Sequence, residues 1–380
     1  MTKALMIHNP AAGMYSHRRG LRRAVSHLEN HGWQVTWRTT EKPADISVWA
    51  REAPEAGYDV VIAAGGDGTI GRVVDGLAGS DTPLGILPLG TGNVLARDLG
   101  LPMPGALTPF ALEEAAQMLL DSVPRRVDLG WANGHHFFSW AGIGFDAEVI
   151  RGAESQPEMK RRLGLMGFLV FLALTLRTYA GTRTTMLIDG RRVSSRIILA
   201  VASNIELYGR WFRIAPAARL DEGLLEVCCF QGQRAPILFY HAFTVLMRRH
   251  IGDPLVNYYQ VRQVEIETAR PMPVQLDGEP FGTTPLTIKA VPQALTLLLP
   301  PKMAENRFMA SADTAPATGM MQDFRDRVQD ARRMVQEAGS RVQEAGSRMQ
   351  EAGSRIREAG SRKQDEPDTS QETGKERPSP

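Results

Sequence analysis

The most constraining stretch of this chain is Val60-Val61-Ile62-Ala63-Ala64, which runs straight into Gly65-Gly66-Asp67-Gly68-Thr69. Five consecutive apolar residues stopped by glycines read as a buried strand that must turn at once. A helix-like stretch, Ile70–Leu77, follows the turn. A glycine turn at a strand end leaves backbone N–H groups bare and lets a phosphate approach closely. Asp67 adds what amides cannot supply, a carboxylate for Mg²⁺ or for an acceptor hydroxyl. Gly-Gly-Asp-Gly by itself reads as an ordinary tight turn whose Asp bonds its own backbone. The apolar strand in front of it turns the reading toward a nucleotide phosphate site.

The surroundings of that strand give the fold class. Strand-like segments at Ala4–Ile7, Trp33–Thr39, Tyr58–Ala64 and Leu84–Leu87 alternate with helix-like ones. The latter are Gly20–Asn30, Ala44–Ala53, Ile70–Leu77 and Leu112–Leu120. Such alternation predicts an α/β fold with a mostly parallel sheet, its ligand beyond the carboxyl ends of the strands. After Pro124 the pattern changes. Asn133-Gly134 between two strand-like runs is a hairpin signal. Strands are then expected at Thr184–Ile188, Arg196–Ala202, Leu224–Phe230, Gln263–Thr268, Val274–Leu276, Leu286–Ala290 and Leu295–Leu299. Two apolar helical stretches, Lys160–Tyr179 and Pro236–Arg249, interrupt them. The expected organisation is an α/β nucleotide-binding domain over 1–125, a mainly antiparallel β-sandwich domain over 126–305, and a tail over 306–380.

That tail balances its acids and bases and carries four heptads, starting at Val335, Val342, Met349 and Ile356. Each repeats a Glu-to-Arg i,i+4 pair, as Glu337 to Arg341. Each also holds a glycine, which costs about 1 kcal/mol of helix propensity. The tail is expected to be a partner-dependent helix or disordered, with tail-mediated self-association as one use.

Bulk properties exclude several classes. A formal net charge of +2 over 380 residues gives no reason to expect nucleic acid as a partner. The two cysteines, Cys228 and Cys229, are neighbours and would point to opposite faces of a strand, so they read as buried thiols in a reducing compartment. The start, Met1 to His8, reads as a strand rather than a signal peptide. The most apolar stretch, Leu163–Leu176, falls short of the roughly 20 residues a membrane span needs. A cytoplasmic protein is expected.

Three more constellations bear on chemistry. His8-Asn9-Pro10-Ala11-Ala12-Gly13 follows the first strand and would turn its amides toward the same crevice. Leu89-Gly90-Thr91-Gly92-Asn93 is a second glycine loop running into a helix, with Thr91 and Asn93 as side-chain donors. Two such loops at consecutive strand ends argue for a nucleotide crevice. Asp277-Gly278-Glu279 reads from its spacing as a β-turn, though two acids can also place carboxylates where a hydroxyl is deprotonated.

Taken together these motifs resemble the bacterial diacylglycerol kinase catalytic family. The resemblance rests on Asn9-Pro10-x-x-Gly13, Gly65 to Thr69, Gly90 to Asn93, Val127-Asp128-Leu129-Gly130, Ala141 to Asp146, Ile214 to Leu224 and Asp277-Gly278-Glu279, in that order. It implies a two-domain lipid kinase with ATP in the cleft. Nucleotide contacts would fall on Asn9, Pro10, Ala11, Ala12, Gly13, Thr40, Gly65, Gly66, Gly68, Thr69, Thr91 and Asn93. Glu279 would accept the proton with Asp277 beside it, and Asp67 and Asp128 would organise the catalytic Mg²⁺. A second, structural Mg²⁺ would sit on Arg219, Glu222 and Leu224. The chain departs from the family at Gly71-Arg72, where an Asn-Glu is usual, and at Val94, Met14 and Arg210. Arg72 is expected among the phosphate contacts.

The expected function is transfer of a phosphoryl group from ATP to a diacylglycerol-like or sphingoid-like lipid alcohol. The alternative is an ATP-binding regulatory protein of the same fold with lost or weak transfer, its tail a partner-binding module. The acceptor lies at a bilayer, so peripheral association with an anionic membrane surface is expected. Tyr208-Gly209-Arg210-Trp211-Phe212-Arg213 would supply the contact or pack between the domains, and the apolar helix near Leu163–Leu176 would be a wall of the lipid cleft or a core helix.

Overall fold

Strands β1 (Thr2–His8), β2 (Trp33–Thr39), β3 (Val60–Gly65) and β4 (Leu84–Pro88) pair in parallel in the order β4-β3-β1-β2. The computed structural model describes residues 1–12, 18–90, 92–105, 108–155, 165–209, 212–301 and 308. Gly13, Thr91, Arg210, Trp211 and the heptads lie outside them.

The alternation of side chains along β3 explains why it carries no polar residue. Val60, Ile62 and Ala64 join a core with helix α1 (Arg18–Asn30) and helix α5 (Ala111–Leu120). Val61 and Ala63 join another with α2 (Pro43–Glu52) and α3 (Asp67–Leu77). Helices therefore cover both faces, and a central strand between them must be apolar throughout. Helix α1 meets this demand with one stripe, Leu21, Ala24, Val25 and Leu28, at i, i+3, i+4, i+7. A short helix, α4 (Val94–Asp98), follows the second glycine loop.

The second part is a mainly antiparallel β-sandwich. Its strands are β5 (Val123–Ala132), β6 (His135–Phe137), β7 (Trp140–Gly144), β8 (Thr182–Ile188), β9 (Arg191–Ser203), β10 (Leu207–Tyr208), β11 (Phe212–Arg213) and β12 (Leu225–Gln231). They continue with β13 (Val256–Val261), β14 (Gln263–Thr268), β15 (Pro273–Leu276), β16 (Glu279–Thr283) and β17 (Leu286–Leu299). Helices α6 (Phe145–Glu154), α7 (Leu165–Thr178) and α8 (Ile237–Leu246) lie between them. Three hairpins turn on two residues with positive φ: Asn133-Gly134, Asp189-Gly190 and Asp277-Gly278. This is the I′ geometry that Asn-Gly and Asp-Gly favour. Cys228 and Cys229 are free and buried in different cores, one on each face of β12.

The structure adds elements that the sequence reading did not list, among them β7, β13 and β16, and it differs at two further places. The segments expected at 286–290 and 295–299 form one strand, β17, with a register shift between Val291 and Leu295. Helix α6 was not anticipated; it starts directly after Gly144, whose φ of 108° lets the chain leave β7 abruptly. Strand β17 also returns to the first layer, pairing in parallel with β4 through Leu297 and Leu84. The parallel and antiparallel parts are thereby one continuous sheet.

Candidate active site

The glycine loops after β3 and β4 meet backbone to backbone. A Cβ on Gly90 would lie 2.6 Å from the Cα of Gly66, so glycine is the residue that lets the loops touch. Gly66 is extended and starts α3, whose first residue is Asp67. Asp67 Oδ1 accepts from the N–H of Val94 at 2.7 Å, tying the start of α3 to the start of α4. Burial raises the Asp67 carboxyl above its ordinary value, against the pull of the backbone amides of Val94, Asn93, Leu95 and Asp67 itself. Asn93 is buried with φ of 46°, and its amide closes on Gly90, accepting from N at 3.2 Å and donating to O at 2.6 Å. Its side chain therefore shapes the loop from inside.

The turn after β1 joins the same place. Asn9 donates from Nδ2 to Thr69 Oγ1 at 3.1 Å and accepts from the N–H of Ala11 at 3.0 Å. Thr40 is buried, with its N–H on the carbonyl of His8 at 2.9 Å. Beside this turn lies a cavity of about 430 Å³ lined by His8, Pro10, Arg18, Arg22, Trp37 and Thr39. Burial and then Arg18 lower the His8 pKa, so its ring is neutral at pH 7. His8, Arg18, Arg22 and Trp37 were missed as candidates. The usable signal was that β1 and β2 end, and α1 begins, at one crevice.

Glu279 reaches this crevice from the far end of the sequence. A Cβ on Gly68 would collide with Glu279 Oε1, and Glu279 Oε2 pairs with Arg72 Nη2 at 2.7 Å. The I′ turn that holds Glu279 is pinned by Asp277. Its carboxylate accepts from the N–H groups of Phe138, Ser139 and Trp140 at 2.8, 2.7 and 3.1 Å. Its own N–H donates to the carbonyl of Trp140 at 3.0 Å. Burial raises the Asp277 carboxyl to about 6 against those amides, so it is ionised at pH 7 and can receive all three. Asp277 thus serves the turn and anchors it at once.

Asp128 lies with a different group. Its carboxylate accepts from Gly223 N at 2.6 Å and Gln293 N at 2.8 Å, joining the loop before β12 to the bulge of β17. Glu222 in that loop accepts from the N–H of Arg219 at 3.4 Å. Burial, then the Glu226 carboxylate, pushes Glu222 up to about 7. The structure therefore brings Asp67, Gly68, Arg72, Asp277 and Glu279 together and groups Asp128 with Arg219, Glu222 and Leu224.

The neighbours of the cleft are also resolved. Tyr208 turns inward, donating its hydroxyl to Asp146 Oδ2 at 2.5 Å, and Phe212 packs on the core. Phe171 of α7 packs against the position of Gly152 in α6.

Comparison with known proteins gives the family and the fold. The family model of the diacylglycerol kinase catalytic domain covers residues 3–132, and that of the YegS C-terminal NAD kinase beta sandwich-like domain covers residues 139–299. A Chromohalobacter salexigens protein named "Probable lipid kinase YegS-like" is 34% identical over 74% of this chain and 88% of its own. The chain belongs to the diacylglycerol kinase catalytic family. A Bacillus subtilis "Diacylglycerol kinase" is 28% identical over 80% of this chain and 99% of its own. The fold agrees with the crystal structure of a diacylglycerol kinase from Bacillus anthracis: TM-score 0.60 at 22% identity, covering 79% of this chain and 98% of that one.

Kinases of this family use ATP and typically a divalent metal. Among the described residues no three His, Cys, Asp or Glu side chains converge on one metal position. A cation at the 219–224 loop would instead take one carboxylate, Glu222, and backbone carbonyls. The donor set fits a hard cation. Glu222 is held near neutrality by burial and by the carboxylates of Glu226 and Asp128, the penalty a bound dication would remove.

Proposed function

We propose that this chain is an ATP-dependent kinase that phosphorylates the hydroxyl of a diacylglycerol-like or sphingoid-like lipid. Residues 1–125 would bind the nucleotide, 126–305 the acceptor, and 306–380 would form a separate tail. The observation that carries the reading is the carboxylate of Glu279 standing over Gly68, within the loop of Gly65 to Thr69. A base at that point faces both a phosphate cradled by amides and a hydroxyl arriving from the sandwich side.

In this reading the nucleoside occupies the cavity of His8, Pro10, Arg18, Arg22, Trp37 and Thr39, and Asn9 to Gly13 and Thr40 would add nucleotide contacts. The amides of Gly65 to Thr69 and the loop at Gly90 and Thr91 receive the phosphates. Glu279 takes the proton from the acceptor hydroxyl as its oxygen bonds to the γ-phosphorus and the bond to the β-phosphate oxygen breaks, releasing ADP. Asp277 holds the turn that aims Glu279, and Asp67 fixes the two glycine loops together. Mg²⁺, when bound, neutralises phosphate charge. The test is to incubate labelled ATP with a panel of lipid alcohols and look for a labelled lipid phosphate. Absence of label on every alcohol, with an intact fold, overturns the reading.

Arg72 pairs with Glu279 at a half-exposed position, so the pair adds at most about 1 kcal/mol to stability. Its expected use is to hold the carboxylate over Gly68. Arg72→Ala should lower kcat about ten- to a hundredfold with little change in Tm. A raised KM for ATP at unchanged kcat would instead make Arg72 a phosphate contact.

Glu222 gives a pH signature. Its folded pKa, about 7, lies above the ordinary 4.5. The stability it contributes is full below about 4.5 and is lost as pH rises through about 7. In EDTA, unfolding free energy should fall between pH 5 and 8 in the unaltered protein more steeply than in Glu222→Gln. Mg²⁺ at pH 8 should restore it only where Glu222 is present. Identical pH profiles for the two proteins would remove Glu222 from the metal loop.

A further inference from the structure

Helix α8 contains no Asp, Glu, Lys or Arg. One side, His241, Thr244 and Val245, is buried against the body of the protein. The other presents Phe239 (67% exposed), Phe243 (60%), Leu246 (58%) and Met247 (49%) to solvent. These fall at i, i+4, i+7 and i+8, one continuous stripe of a helix. A helix buried on one side should show charges on the other, and large apolar stripes left bare mark interaction sites.

The charges around the stripe say what covers it. From Gly232 to Gly252 the sequence contains no acid, while Arg234, Arg248 and Arg249 are exposed at the two ends of α8. The next acid, Asp253, is buried and engaged by the Tyr240 hydroxyl at 2.5 Å and the Leu255 N–H at 2.8 Å. The root of α8 is tied to the end of α7, with Ala235 N donating to Tyr179 O and Gly181 N to Gln233 O. There α7 exposes Leu174 and Arg177. Aromatic and aliphatic tips rimmed by arginine suit an acyl boundary beneath anionic headgroups. A second copy suits it less, because a two-fold contact would set the arginine rims against each other.

We propose that the exposed stripe of α8 is the surface by which this protein docks on an anionic lipid bilayer, Phe239 and Phe243 entering the acyl boundary and Arg248 and Arg249 meeting headgroup phosphates. This deepens the kinase reading, whose acceptor resides in a bilayer, but it is tested without turnover. The full chain is sedimented with equimolar phosphatidylglycerol and phosphatidylcholine vesicles and with pure phosphatidylcholine ones. The unaltered protein should bind the anionic vesicles. Phe239→Ser with Phe243→Ser should weaken binding roughly thirtyfold or more. Arg248→Gln with Arg249→Gln should weaken it about thirtyfold on anionic vesicles only. Phe110→Ser, at an equally bare phenylalanine (60% exposed) beside α5, should change nothing. Thermal melts of each variant confirm folding. Failure of the unaltered protein to bind, or undiminished binding by the phenylalanine variant, overturns the proposal. So does a dimer in solution that this variant breaks, which would make the stripe a contact between copies. A failed kinase assay would leave the vesicle result standing.

Discussion

Replacing Glu279 by Gln is expected to cut lipid phosphorylation roughly 100- to 10,000-fold while ATP affinity stays close to that of the unaltered protein. The substitution keeps the size of the side chain and removes its ability to take a proton. Glu279 is 43% exposed, so neutralising it leaves no buried group unpaired and folding should be unaffected. Its Oε1 stands over Gly68 and its Oε2 on Arg72, which places the loss in the transfer step rather than in nucleotide binding. The variant also loses the ion pair, so its kcat must be compared with that of Arg72→Ala. A loss no larger than that of Arg72→Ala would mean that Glu279 is held there for structure. Full activity in Glu279→Gln would remove it as the base.

Replacing Asp277 by Ala should act mainly on stability. The carboxylate receives three buried amides, those of Phe138, Ser139 and Trp140, and a methyl group can receive none. Three donors left without an acceptor cost about 3–5 kcal/mol after partial rehydration. The I′ turn favours Asp-Gly, and Asp277 has φ of 49°, so alanine adds strain there. Urea unfolding should show the loss as a lower midpoint at unchanged slope. Asp277→Asn, which keeps an acceptor oxygen, should recover part of it. If Asp277→Ala unfolds like the unaltered protein yet is inactive, Asp277 acts on the substrate and not on the turn.

The two carboxylates, two residues apart, thus have separate expected signatures. That separation was not legible in Asp277-Gly278-Glu279 as a string. The spacing pointed to a turn or to a pair of catalytic acids, and the structure has a turn whose first acid faces inward and whose second faces the crevice. Which acid does which depends on β15 pairing with β7, a contact between segments far apart in sequence.

Much else was readable locally because its physics is local. Val60 to Ala64 had to be a central strand, since nothing polar tolerates burial on both faces. Asn133-Gly134 had to turn a hairpin, since its residues accept positive φ cheaply. The adjacent cysteines had to part onto opposite faces of a strand. The two glycine loops were legible as turns at consecutive strand ends, and the structure brings them into backbone contact at Gly66 and Gly90.

What the tertiary structure alone decided is which distant side chains meet. Asp128 looked like a partner of Asp67 and lies instead between Gly223 and Gln293, because the bulge of β17 carries Gln293 there. Arg72 looked like a phosphate contact, and its guanidinium is engaged by Glu279. Helix α8 carries no charged residue, and its polar His241 and Thr244 face inward with Val245, so periodicity could not say which side faces water; packing decided it. Turns and strand faces follow from one residue's own dihedrals and neighbours, whereas pairings across the sheet depend on register set by many residues at once.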